Sequence, residues 1–281
     1  MDGPLESPSG ETRLFPILGS PVAYTKSPQR LTRGFASRGA NAVCIPMEVP
    51  EGSLDAVMVA LTCTRNVDGL LVTMPHKAAA FAYCATASPV ARLLGCVSVM
   101  RRTDDGAWHG DMLDGQAFVR AQGDGGAIHR GARALLVGAG SAGSAIAFAL
   151  LEAGVRELAV FDSDGARASR LLVLLAGVGH GRVHAGSPDP TGFDIVCNAT
   201  PLGMGHADPL LVLPRLLKPT MFVGDVVAGH GVTPLIQAAR DCGCRTSDGV
   251  AMVEAAQEAM LDFFLQQHDI SVRDAPLDLS Q

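Results

Sequence analysis

Residues 135–143 read Leu-Leu-Val-Gly-Ala-Gly-Ser-Ala-Gly, and few folds are open to a chain that carries this run. A short apolar strand, Ala134 to Val137, ends at Gly138, Gly140 and Gly143, and the stretch from Ser144 to Ala153 is helix-prone. The glycines divide three tasks: a tight turn, a close approach of backbone to a pyrophosphate, and close packing of helix on strand. The helix start offers unpaired N–H groups and a positive dipole end to phosphates. Gly154 and a second apolar strand, Glu157 to Phe161, follow and are closed by Asp162. Strand, glycine loop, helix, strand and terminal acid together predict a dinucleotide-binding unit, with Gly138, Ala139, Gly140, Ser141, Ala142 and Gly143 around the phosphates. A carboxylate at position 162 can accept from both adenosine ribose hydroxyls and repels a 2′-phosphate, so NAD is expected over NADP. The segment Ser163 to Arg167 adds Asp164 and no immediate arginine clamp. On residues alone, the alternative leaves Asp162 a turn residue and Arg167 to hold a phosphate.

The 281 residues suffice for two domains, each with its own core. A net charge of −6 gives no broad footprint for nucleic acid. No apolar run free of charge and turn residues reaches the roughly 18–20 residues that span a bilayer. Met1 to Gly10 lacks the basic start and apolar core of a signal peptide and is expected to be a tail. Seven scattered cysteines without a C-x-x-C spacing fit free thiols in a reducing cytoplasm better than a disulfide framework or a zinc site. No metal is expected, because Cys242 and Cys244, separated only by Gly243, are a poor ligand spacing and have no histidine beside them.

Strand-like runs recur at Thr12–Leu18, Val43–Val49 and Gly69–Met74, with helical stretches at Gln29–Arg38, Leu54–Thr62 and Lys77–Ala85. A hairpin over Cys96–Arg101 and Gly106–Gly110 turns at Arg102-Thr-Asp-Asp. Beyond it, strands are expected near Arg182–His184, Phe193–Cys197, Met221–Asp225 and Arg245–Ser247, with a helix over Pro234–Cys242 and a last one from Ala251 to about Gln267. Alternating strands and helices predict an α/β protein whose mostly parallel sheets are covered on both faces. A cleft between the two units would bring cofactor and substrate together.

Four further segments carry unusual combinations. Gly19 to Pro28 presents Thr25, Lys26 and Ser27 before a proline-initiated helix, a setting suited to a carboxylate. Ser27 fits a plain helix cap equally well. Val72-Thr-Met-Pro-His-Lys77 brings Lys77 out of a buried strand through a proline turn, where an exposed helix-start lysine is the simpler reading. Gly110 to Gly115 sets Asp114 at a strand-to-helix junction, where it could also be a cap. Asn198-Ala-Thr-Pro-Leu-Gly-Met204 directly follows a buried strand.

In this order the segments resemble the shikimate/quinate dehydrogenase family, from about residue 14 to 265. Residues 19–28 are similar to its carboxylate loop, Leu71 to Lys77 to N-V-T-x-P-x-K, and 110–115 to G-x-N-T-D-x-x-G at Gly110 and Asp114 only. The N-A-T-P-x-G-M pattern is intact at 198–204, Asp225 to Leu235 follows D-x-x-Y-x-P-x-x-T-P-L, and Asp248 to Met252 is D-G-x-x-M. The resemblance implies a substrate domain of residues 12–115 completed by 251–270, and a nucleotide domain of 116–250. It implies an acid–base pair, Lys77 and Asp114, and substrate contacts from Thr25, Ser27, Thr73, Ser98 and Gln257. Asn198, Thr200, Val226, Gly249 and Met252 are implied around the cofactor.

The departures point to a changed substrate. Leu71 and Ser98 replace two asparagines, Ala228 a tyrosine, Ala256 a glutamine (with Gln257 adjacent) and Tyr24 a histidine, while the N-R-T segment of NADP enzymes is Asp162-Ser163-Asp164. The reading is an NAD-linked oxidoreductase acting on a shikimate- or quinate-like hydroxy carboxylic acid with fewer hydroxyls than shikimate. A true shikimate or quinate dehydrogenase is the alternative within enzymes, and an NAD-binding sensor or pseudoenzyme the alternative of another class. A cytoplasmic monomer or homodimer is expected, with a small molecule as partner and neither nucleic acid nor membrane.

Overall fold

The computed structural model describes residues 7–23, 25–178, 181–205, 208–229 and 231–266. Tyr24, most of the first ten residues and everything after Gln266 lie outside the described residues, so nothing follows for the expected tails. The first part of the chain runs β1 (Arg13–Gly19), α1 (Ser27–Ser37), β2 (Ala42–Glu48), α2 (Leu54–Cys63), β3 (Gly69–Val72), α3 (Lys77–Phe81), β4 (Thr86–Ala87), α4 (Pro89–Leu94), β5 (Val99–Arg102) and β6 (Trp108–Asp111). Its strands form one sheet in the order β2-β1-β3-β5-β6-β4. β1 is parallel to β2 and β3, whereas β5 is antiparallel to β3 and β6. β3 is Gly-Leu-Leu-Val and buried throughout, as a strand covered on both faces must be. The expected hairpin closes where Thr103 N–H donates to the Ala107 carbonyl at 2.9 Å.

One stretch differs from the expectation. The helix predicted over Lys77–Ala85 stops at Phe81, and β4 and α4 follow. The Ala85 N–H donates to the Trp108 carbonyl at 2.9 Å, so pairing with distant β6 takes over a segment whose local sequence favours helix.

The second part runs α5 (Asp114–Asp124), β7 (Arg133–Val137), α6 (Ser141–Glu152), β8 (Glu157–Phe161), α7 (Gly165–Leu175), β9 (Arg182–Ala185), β10 (Ile195–Asn198), β11 (Phe222–Asp225), α8 (Pro234–Asp241), β12 (Arg245–Ser247) and α9 (Gly249–Leu265). All pairs of its sheet are parallel, in the order β9-β8-β7-β10-β11-β12. The order reverses between β7 and β10. In such doubly wound sheets ligands bind outside the carboxyl ends of the strands at that reversal. Helix α6 starts at Ser141 rather than Ser144, because residues of the glycine loop themselves form its first turn. A Cβ at Gly143 would collide with the Gly138 carbonyl, so only glycine lets helix and strand approach this closely.

Two helices join the parts. The boundaries expected after residues 115 and 250 fall inside the first turns of α5 and α9, which pack on one another. α9 then returns to the first sheet, where Phe264 meets Phe15 at 4.9 Å between ring centroids and Phe15 meets Phe35 at 4.5 Å. No helix among the described residues is long and apolar enough to cross a membrane. Phe264→Ala empties the middle of this aromatic cluster and is expected to lower stability by about 3–5 kcal/mol, the range for truncating a buried phenylalanine. Urea unfolding measures it, and a loss below about 1 kcal/mol would show that the cluster does not hold α9 to the sheet.

Candidate active site

A cavity of about 200 Å³ lies between β1, β3, the first turns of α1 and one face of α9. Lys77 enters it as the first residue of α3, directly after a turn closed by the His76 N–H on the Thr73 carbonyl at 2.9 Å. The buried His76 ring pins that turn, its Nε2 2.7 Å from the Val49 carbonyl. Asp114 enters from the start of α5, which is fixed where Leu113 N–H donates to Ser98 Oγ at 2.9 Å. The Lys77 ammonium donates to Asp114 Oδ2, and the two side chains are only 15 % and 13 % exposed. Neither is the exposed lysine or the helix cap of the simpler readings. Ser27 is no cap either, since Lys26 occupies the N-cap of α1 and makes no side-chain capping bond. An ammonium held against a carboxylate in such a cavity can exchange a proton with a substrate hydroxyl. Burial pushes the nearby Cys96 thiol up to about 11, so it stays protonated and is a poor nucleophile.

Thr25, Ser27, Thr73, Ser98 and Gln257, expected at the substrate, line this cavity, and so do Val226 and Met252, which were expected around the cofactor. Three of these polar groups are already engaged: Thr25 Oγ1 donates to the Val22 carbonyl at 3.0 Å, Gln257 Nε2 donates to the Arg30 carbonyl at 3.3 Å, and Ser98 Oγ accepts from Leu113 N–H. Leu71, Ala256 and Met260 make apolar wall. Arg30 also lines the cavity and has no place in the sequence reading. Its signal was available, since residue 30 lies one helical turn from Ser27 and on the same face.

The glycine loop faces the second sheet's reversal point. Gly138 has φ +106°, and a Cβ there would run into the Ala199 carbonyl. Helix α6 begins without a side-chain cap and with no acidic residue in its first turn. A bare loop over an uncapped helix start fits a pyrophosphate. Asp162, expected to receive both ribose hydroxyls, has a second role within the loop itself. Its carboxylate is 6 % exposed and already accepts from Ala139 N–H at 2.7 Å and Asp164 N–H at 2.8 Å, so it fastens the loop. Arg167 approaches Asp162 at 3.8 Å and Asp164 at 3.9 Å.

Asn198 is corrected from a cofactor contact to a positioning residue. It is fully buried; its amide donates to Asp225 Oδ1 at 2.9 Å and the Leu202 carbonyl at 3.1 Å, and its oxygen accepts from Thr200 N–H and hydroxyl. All four hydrogen-bonding positions of the side chain are thus filled within the protein. Thr200 shares that fate: its hydroxyl donates to Asn198 and accepts from Leu202 N–H at 3.2 Å. Gly249 is a packing position, where a Cβ would strike the Val227 carbonyl. Burial pushes the Asp225 carboxyl upward from its ordinary value, against hydrogen bonds from Thr233, Val227 and Asn198 that lower it. Among the described residues no cluster of His, Cys, Asp or Glu is placed to hold a metal.

Residues 17–100 match the family described as shikimate dehydrogenase substrate binding domain. The NADP(+) shikimate dehydrogenase of Rubrobacter xylanophilus is 38 % identical over 250 residues, covering 87 % of each chain. The chain belongs to the shikimate dehydrogenase family. Shikimate 5-dehydrogenase of Listeria monocytogenes, solved with shikimate and NAD, superposes with a TM-score of 0.85 at 25 % identity, over 95 % of this chain and 96 % of that one. Quinate dehydrogenase of Corynebacterium glutamicum, solved with NAD, gives 0.83 at 28 % identity, over 92 % and 96 %. This family member is therefore a shikimate/quinate dehydrogenase-type oxidoreductase that uses a nicotinamide cofactor.

The buried network gives a direct test of the Asn198 correction. Asn198→Ala leaves Asp225 and Thr200 short of partners and is expected to cost roughly 1–3 kcal/mol for each group left unpaired. Asn198→Asp should cost more, because it sets a second carboxylate beside Asp225. Urea unfolding of both variants measures this, and wild-type stability in Asn198→Ala would overturn the positioning role.

Proposed function

We propose that this oxidoreductase transfers a hydride between NAD and a ring hydroxyl of a shikimate- or quinate-like hydroxy carboxylic acid that carries fewer hydroxyls than shikimate. The observation that carries the reading is the Lys77–Asp114 pair facing a cavity whose wall is apolar at Leu71 and Ala256. The nicotinamide accepts or supplies the hydride. In the reducing direction the Lys77 ammonium protonates the carbonyl oxygen as its carbon is reduced; in the oxidising direction the neutral amine takes the hydroxyl proton. Asp114 holds the lysine in place and stabilises its charged form. In this reading the Ser27 hydroxyl, and that of Thr25 once it releases the Val22 carbonyl, would meet the substrate carboxylate, and Thr73 and Ser98 would meet ring oxygens. A substrate hydroxyl pressed on Leu71 or Ala256 finds no partner, at a cost of about 1–3 kcal/mol.

NAD is favoured because Asp162 and Asp164 place two carboxylates at the end of β8, where a 2′-phosphate would have to sit. Arg167, half exposed and paired with both acids, is the group that would serve a phosphate instead. The names of relatives such as that of Rubrobacter xylanophilus support a second reading, an NADP-linked true shikimate dehydrogenase.

Two experiments decide between these readings. Wild-type kcat/KM for NAD should exceed that for NADP by roughly tenfold or more, since setting phosphate against carboxylate costs several kcal/mol. Asp162→Asn, which keeps an acceptor for Ala139 N–H, should narrow the gap. Equal or better use of NADP by the wild type removes the cofactor assignment.

The second experiment follows absorbance at 340 nm over shikimate, quinate and less hydroxylated cyclic hydroxy acids. Lys77→Ala should lower kcat by roughly 10²–10⁴-fold with NAD affinity little changed. Shikimate should be a poor substrate, improved by Leu71→Asn combined with Ser98→Asn. A wild-type kcat/KM for shikimate or quinate of about 10⁵ M⁻¹s⁻¹ or more would overturn the less hydroxylated substrate and make the enzyme a true shikimate or quinate dehydrogenase, and undiminished turnover in Lys77→Ala would remove the acid–base pair.

A further inference from the structure

Arg30 brings to the cavity a positive charge that the proposed chemistry does not use. It sits one turn after Ser27 on α1, so both side chains project from the same face, and both line the cavity wall. Its side chain is 31 % exposed, and Nη1 lies 3.4 Å from Glu254 Oε1 on α9. That carboxylate is 62 % exposed and does not line the cavity. A long ion pair with a solvated partner binds weakly, so the guanidinium stays open to a better one. The other cation in the wall, Lys77, faces Asp114 and is neutralised there. Among the described residues, Arg30 is therefore the lining cation with no lining carboxylate opposite it. Around it the wall is aliphatic, from Leu31, Leu71, Ala256 and Met260.

We infer that Arg30 is the charged anchor of the substrate carboxylate, which it shares with the Ser27 hydroxyl, so that specificity here rests on one acidic group carried on an apolar body. This deepens the proposed reaction and rests on it. A guanidinium presents paired N–H donors that match both oxygens of a carboxylate; such bidentate bonds between two ionised groups are about twice as strong as hydrogen bonds between neutral groups and add a fixed geometry that a lone hydroxyl cannot. The gain is greatest beside aliphatic walls that keep water away. Replacing polar wall at Leu71 and Ala256 removes contacts to ring hydroxyls, and the ion pair supplies affinity that does not depend on them. The competing view makes Arg30 a strut that ties α1 to α9 through Glu254.

The test compares shikimate, quinate and 3-hydroxycyclohexanecarboxylate with their primary amides, in wild type, Arg30→Met, Arg30→Lys and Glu254→Gln. Both initial rates and calorimetric binding to the NAD-loaded enzyme are measured. Arg30→Met should weaken binding and raise KM for the acids by roughly 10- to 150-fold, the range for losing a hydrogen bond to a charged group. Its kcat should change little, and the amides should be unaffected. Arg30→Lys should restore part of the loss, and Glu254→Gln should leave the acids' KM unchanged or lower it. The inference is overturned if Arg30→Met leaves acid binding intact, weakens acid and amide alike, or is matched by Glu254→Gln. Acids that bind with an Arg30-dependent affinity yet are never oxidised would sink the proposed reaction while leaving the anchor in place. Absence of acid binding to the wild type would remove both.

Discussion

Helix α5 can lie against α6 only because residue 115 has no side chain. A Cβ there would meet the Ala145 carbonyl of α6, and no rotamer change relieves a clash with backbone. This contact matters because of what the two helices begin with. α5 starts at Asp114, the partner of Lys77, and α6 starts at the glycine loop. Their packing refers the Lys77–Asp114 pair and the glycine loop to one rigid frame. α9 packs on the other side of α5 and brings Met252, Ala256 and Gln257 to the same cavity.

Charged groups inside this frame are held by different means. Lys77 and Asp114 sit in the cavity wall, mostly withdrawn from water, with each other as counter-charge. Asp225 lies deeper, and among the described residues it pairs with no cation and is held by Thr233, Asn198 and Val227. Neutral donors leave a buried carboxylate costly, which is why its proton affinity rises. The network joins the ends of β10 and β11 and sets the loop of residues 198–202 against Gly138. The intact Asn-Ala-Thr-Pro run thus shapes the cofactor crevice from below.

The cavity itself has been rebalanced. Apolar side chains stand at Leu71 and Ala256, the hydroxyl of Ser98 is engaged by the α5 start, and a guanidinium has come in beside Ser27. Hydroxyl-reading groups discriminate strongly because a missing partner leaves a buried polar atom unpaired. A charge on an aliphatic wall discriminates instead between acid and neutral substrates.

Local sequence determined a good deal. The glycine spacing after an apolar run dictated the β7–α6 turn, because Gly143 meets the Gly138 carbonyl five residues away, although Gly138 itself is also fixed by distant Ala199. The order of Ser27, Lys77 and Asp114 was enough to expect them together, and all three line one cavity. What eluded it depends on distant partners. α3 ends early because β6 captures residue 85. Asp162 also fastens the glycine loop, and Asn198 is tied to Asp225. Arg30 carries no motif, and becomes notable only when α1, β3 and α9 close one cavity around it. Periodicity and spacing register bonds made between near neighbours in the chain. Which polar groups are left over for a ligand is decided by burial and by partners brought from far along it, and only the tertiary structure supplies those.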